Sequence, residues 1–101
     1  MSTLSKRIKA ARLLSGLSQE QLGIHIGIDP ASASVRMNRY ELGRRVPNFE
    51  LVERLAEELG LPTTYFYSSD EEEAHLVIAF SRLNAAKRKQ LLRYLLELQG
   101  D

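Results

Sequence analysis

Helix start and stop signals recur along this chain at short intervals and leave little room for any other secondary structure. Ser18-Gln19-Glu20-Gln21 has the form of a capping box: the first hydroxyl accepts from the third residue's N–H, whose side chain reaches back. Asp29-Pro30 pairs an acidic cap with proline at the first helical position, where a missing N–H costs nothing. Pro47-Asn48 opens another helix. Gly16, Gly27, Gly43 and Gly60 each follow a stretch of helical periodicity, where a left-handed residue often ends the helix. The only prolines are at 30, 47 and 62, each at an expected connection, and β-branched alternation is absent. The expected class is all-α.

The apolar spacing predicts six helices. The first covers 3–15, with Leu4, Ile8 and Ala11 on one face. The second covers 19–26, with Leu22 and Ile26 inward. The third runs from Pro30 to about Leu42, with Ala33, Met37 and Tyr40 inward. The fourth covers 49–59, with Leu51, Leu55 and Leu59 inward, and Thr63–Tyr67 makes one further turn. A fifth helix, capped by Asp70, runs to about Leu83, with Glu71, Glu72 and Glu73 in a first turn where the macrodipole favours negative charge. The last covers 85–98 after Asn84 and carries Leu91, Leu92, Leu95, Leu96 and Leu98. At 101 residues this is one domain's worth of chain. The predicted organisation is a compact helix-turn-helix domain of about five helices over 1–67 and a C-terminal helical hairpin over 68–101.

Several function classes drop out. With no cysteine there is no disulfide framework and no thiolate chemistry, which suits a reducing cytoplasm. No apolar run is long enough for a membrane span, and the N-terminus lacks a signal peptide's apolar stretch. Phosphate-loop, dinucleotide, zinc-protease and nucleophile-elbow motifs are missing, so catalysis is not expected. No cofactor or metal is implied. His25 has no histidine or carboxylate at ligand spacing, and His75 beside Glu71 reads as a solvated helix face. Tyr65-Phe66-Tyr67 sits among acidic residues and reads as core or interface rather than as a base-stacking platform.

The net charge of +1 hides a strong segregation. Residues 1–45 hold eight basic and three acidic residues, a net of +5. Residues 46–81 hold one basic and eight acidic, a net of −7, and residues 82–101 five basic and two acidic, a net of +3. Near-neutrality argues against indiscriminate nucleic-acid binding, yet the +5 belongs to residues 1–45, which hold the first three helices and Arg44-Arg45.

Two short helices joined by a glycine-containing turn, framed by two more, describe a helix-turn-helix. Placing Ala33, Met37 and Tyr40 inward puts Ala31, Ser32, Val35, Asn38 and Arg39 on the opposite face, flanked by Ser34 and Arg36. A face built for solubility would carry Glu and Lys. This one offers Arg for guanine, Asn for adenine and Val for a thymine methyl. Arg44 and Arg45, just past this helix, are well placed to neutralise phosphates.

Residues 4–66 resemble the phage repressor and Cro-type helix-turn-helix domain, the XRE family of bacterial regulators. The matching pieces are Arg12, Gly16-Leu17-Ser18-Gln19-Glu20-Gln21-Leu22, Gly27-Ile28, Tyr40-Glu41-Leu42-Gly43, Pro47 and Leu55-Ala56-Glu57-Glu58-Leu59-Gly60-Leu61. The resemblance implies base reading by Ser34, Val35, Arg36 and Arg39, to which Asn38 is added. It implies a phosphate-bracing role for Gln19 and an architectural ion pair between Arg12 and Glu41. One departure stands out: Gly27 to Glu41 is about four residues longer than the family norm. The extra residues near 29–32 lengthen either the turn or the front of the recognition helix, and Asp29-Pro30 favours the helix.

Two apolar stripes on the last helix exceed what a small monomer needs. Phe80, Leu83, Leu91, Leu92, Leu95 and Leu96, with Ala79 and Tyr94, suggest pairing across a two-fold axis. The expected partners are double-stranded DNA and a second copy of the chain. The expected role is a dimeric transcriptional regulator, a repressor on a palindromic operator, working in the cytoplasm at the nucleoid. The alternative is a protein-interaction module such as the antitoxin of a toxin–antitoxin pair.

Overall fold

In the computed structural model, which describes residues 2–100, the elements run α1 (Thr3–Ser15), α2 (Gln19–His25), α3 (Pro30–Glu41), α4 (Phe49–Leu59), a 3-10 segment (Thr63–Tyr67), α5 (Glu71–Ser81) and α6 (Ala85–Gln99). No strand occurs among the described residues. The local chemistry sets these boundaries. Both halves of the capping box at α2 form: Ser18 Oγ accepts from the Gln21 N–H at 3.0 Å, and Gln21 Oε1 accepts from the Ser18 N–H at 2.9 Å. Asp29 accepts from the Ala31 N–H at 2.9 Å with Pro30 following it. Residues 30–32 therefore belong to the front of α3, with Asp29 as its cap, and the turn from α2 stays short. α5 ends at Ser81, about two residues earlier than its periodicity suggests. There the Arg82 and Leu83 N–H groups bond back three residues, to Ala79 and Phe80, which tightens the last turn.

The core is one cluster drawn from every element but α6. Ile8, Leu22, Met37, Val52, Leu55 and Phe66 are fully buried, and Tyr65 and Ala74 nearly so. Val77 and Ile78 pack against this cluster, so α5 continues the core laid down by the first four helices. Arg7 locks the junction. Its guanidinium donates to the Ser68 carbonyl at 3.0 and 2.8 Å, meets Glu71 at 3.0 Å and lies over the Tyr65 ring. This basic residue of α1 is spent on architecture and adds nothing to a positive face.

α6 stands apart. The Cα radius of gyration is 15.8 Å, against about 13 Å for a compact chain of this length, and the molecule is 54 Å long. No residue of α6 is buried. Its root is held by Arg88, which donates to the Phe80 and Ser81 carbonyls at 3.2 and 3.0 Å and covers the Phe80 ring. These carbonyls lie at the C-terminus of α5, where a cation is favoured.

Candidate nucleic-acid interface

The interface is built on the contact between α2 and α3. Gly23 is buried on α2, and a Cβ there would lie 2.8 Å from the Ala33 Cβ and 3.1 Å from its backbone. Glycine therefore lets the two helices approach closely. Gly23→Ala should lower stability, because overpacking costs about 1–3 kcal/mol and removing glycine from a helix returns only about 1 kcal/mol. A melting temperature equal to or above wild type would mean that α3 can shift freely.

A buried carboxylate fixes the orientation of α3. Glu41, 2% exposed, accepts from Arg12 Nε at 2.6 Å and Nη2 at 3.0 Å. Arg12 Nη1 donates to the Leu17 carbonyl at 3.0 Å, and Gln19 Nε2 reaches Glu41 Oε1 at 3.2 Å. One carboxylate thus ties α1, the turn before α2, α2 and α3 together. The two-pronged guanidinium contact holds direction as well as distance.

With Ala33, Met37, Tyr40 and Glu41 inward, α3 turns Ala31, Ser34, Val35, Asn38, Arg39 and Leu42 to solvent. These follow i, i+3, i+4, i+7, i+8, i+11, one continuous stripe. Val35 is 54% exposed and Leu42 41%, with no carboxylate on the stripe to repel phosphate. Of the residues expected to read bases, Ser34, Val35, Asn38 and Arg39 lie on it together.

Arg36 does not. At about 100° per residue it falls on the flank opposite Ser34. It is half-buried, donates to the Tyr40 hydroxyl at 2.7 Å and lies over that ring. As placed, its side chain belongs to the side of α3 that faces α4. The expectation of base contact from Arg36 came from the family resemblance, carried over by position, which does not register that Tyr40 attracts its cation.

Gln19 is also engaged within the protein. Its Nε2 bridges Asn38 Oδ1, at 3.3 Å, and Glu41, which steadies Asn38 on the exposed stripe. Arg44 and Arg45 are exposed in the turn after α3, where Gly43 has φ 73° and both arginine N–H groups bond the Arg39 carbonyl. Residues 39, 44 and 45 thus gather three arginines at the C-terminal end of α3.

The other candidates fall outside this surface. His25 has a carboxylate partner that its own helix does not supply: Nδ1 lies 2.8 Å from Glu58 of α4. The spacing within α2 could not reveal a contact between helices. His75 is exposed, and no group of acidic and histidine residues that could hold a metal occurs among the described residues. Tyr65 and Phe66 are core, while Tyr67 stacks on Phe49 with ring centroids 6.3 Å apart. Burial, with repulsion from Glu53, raises the Tyr67 phenol above its ordinary range. No helix among the described residues is long and apolar enough to cross a membrane.

The expected pairing residues are split. Phe80, Leu83, Leu91 and Leu95 are half-buried, whereas Leu92, Leu96 and Tyr94 are 49%, 67% and 57% exposed.

A family model described as helix-turn-helix matches residues 8–66. Among solved structures the chain is similar to the crystal structure of transcriptional regulator BswR, with 42% identity, 92% of each chain covered and a TM-score of 0.83. No curated protein matches.

Proposed function

This chain belongs to the helix-turn-helix family and is a DNA-binding transcription regulator rather than an enzyme, and from that premise we propose that it is a dimeric repressor of a palindromic operator. The observation that carries the reading is the α3 stripe: Ser34, Val35, Asn38 and Arg39 exposed side by side, next to Arg44 and Arg45. Val35 and Asn38 suit the thymine methyl and the adenine edge, Arg39 suits guanine, and the Ser34 hydroxyl, which both donates and accepts, suits more than one base edge. Arg44 and Arg45 supply phosphate contacts, hence salt-dependent affinity without sequence preference. Gln19 supports the surface in two ways, by orienting Asn38 and by standing in the first turn of α2, where free N–H groups favour a phosphate. Repression follows from occupancy, since a regulator seated over a promoter excludes polymerase.

Symmetry supports the dimer. One such domain spans a half-site, and a two-fold pair meets half-sites about 34 Å apart. The leucines that α6 leaves exposed are the surface for that pairing, residues 68–101 acting as the dimerisation extension. The same leucines favour, as a second reading, a different protein chain such as a toxin in the second copy's place.

Arg39→Ala should cost about 1–3 kcal/mol on the cognate site and relax preference at one base pair, while binding to random DNA changes little. Competition binding against single-base operator variants measures this. Equal discrimination by wild type and variant would remove Arg39 from the reading face.

A further inference from the structure

Between α3 and α4 lies a cavity of about 310 Å³ that the DNA reading leaves unused. Arg36, Arg45 and Arg54 line it, with Tyr40, Asn48 and a single carboxylate, Glu50. Three guanidiniums against one carboxylate leave a local charge of +2. Among the described residues none of the three is in an ion pair. Arg54 makes one long contact, to the Ile26 carbonyl at 3.4 Å. Arg36 Nε is shielded from solvent and has no hydrogen-bond partner. A buried donor on a cation is costly to leave unmet, so such groups normally find an acceptor. Ligand pockets of this size are usually apolar. A polar, cationic lining suits instead a compact multivalent anion, whose oxygens guanidinium forks match in pairs. The α4 N-terminus, opening at Asn48, adds its positive end to the same space.

We propose that this cavity binds a small free anion of the phosphoryl class and that its occupancy weakens DNA binding. The coupling rests on the DNA reading: Arg45 lines the cavity and also belongs to the cluster at the end of α3, so an anion that draws it inward takes it from the DNA backbone. Linkage makes the effect reciprocal.

The test titrates the free protein with inorganic phosphate against chloride at constant ionic strength, following backbone amide resonances. Binding should saturate, with shifts gathered at Gly27, Ile28, Val46 and Asn48. Arg54→Met removes an exposed side chain outside the DNA-contact set; it should weaken phosphate binding at least about tenfold with an unchanged melting temperature. Saturating phosphate should then lower DNA affinity in wild type and not in Arg54→Met. Failure to saturate, or undiminished phosphate binding by Arg54→Met, overturns the proposal. If Arg54→Met instead weakens DNA binding in chloride and lowers the salt slope by about one, DNA itself occupies the cavity and the free-anion proposal falls. Saturable, Arg54-dependent phosphate binding by a protein that selects no DNA would uphold the anion site, while overturning the DNA reading and the coupling with it.

Discussion

Arg12→Met should destabilise the folded chain by about 3–5 kcal/mol, the typical cost of stripping one partner from a buried ion pair. A domain of this size is stable by only about 5–15 kcal/mol, so the variant would sit near the edge of folding at moderate temperature. The reason lies with Glu41 rather than with Arg12. At 2% exposure its carboxylate cannot recover water, and Gln19 alone remains to satisfy it. Methionine keeps most of the volume of the arginine stem, so the loss reports charge and hydrogen bonding rather than a cavity. The double variant Arg12→Met, Glu41→Leu should regain much of the stability, because neither charge is then left buried alone. Urea unfolding followed by circular dichroism measures both variants against wild type. A single variant within about 1 kcal/mol of wild type would mean that Glu41 finds another donor or a path to solvent.

Leu92→Glu combined with Leu96→Glu should convert a dimer to a monomer and weaken operator binding about 100-fold or more. The second half-site then loses the effective concentration that linkage provides, commonly worth 10²–10⁴ in affinity. Both leucines are exposed, at 49% and 67%, so the monomer fold should survive with an unchanged helix content. Substitution is a cleaner probe than removing residues 71–101, since that cut also takes Ala74, Val77 and Ile78 away from the core. Sedimentation equilibrium and operator titration read the two effects separately. A double variant that still sediments as a dimer would place the pairing surface elsewhere.

Helix limits were legible in the sequence because their causes are local. Ser18, Asp29, Asn48, Asp70 and Asn84 each cap the helix that follows, and a cap needs only its own next three residues. The inward face of α3 was legible for the same reason, as periodicity alone selects Ala33, Met37 and Tyr40. The remainder depends on contacts between elements far apart in sequence. Nothing near Gly23 announces that Ala33 will lie against it. Arg7 looks like one more basic residue of α1 until Ser68 and Glu71 come round to meet it, 61 and 64 residues later. Arg36 and Arg39 are indistinguishable by type, and the Tyr40 hydroxyl separates them, one toward α4 and the other to solvent. Residue 88 carries the same lesson: it holds α6 to the end of α5 through backbone carbonyls, which no side-chain pattern displays.

The charge segregation also acquires a physical sense. Of the eight basic residues before residue 46, Arg7 and Arg12 are committed to internal contacts and Arg36 to Tyr40. Of the five that remain, Lys6 and Lys9 are exposed on α1, and Arg39, Arg44 and Arg45 lie at one end of α3. A cluster that small gives modest non-specific attraction, so discrimination falls to the stripe of Ser34, Val35, Asn38 and Arg39.

Selection of bound duplexes from a random DNA pool asks whether this chain reads sequence as a two-fold pair. A palindrome whose half-site centres are about 10 base pairs apart, one helical turn, or a multiple of that spacing, should be enriched. Recovery of an unenriched pool at moderate salt would contradict that reading.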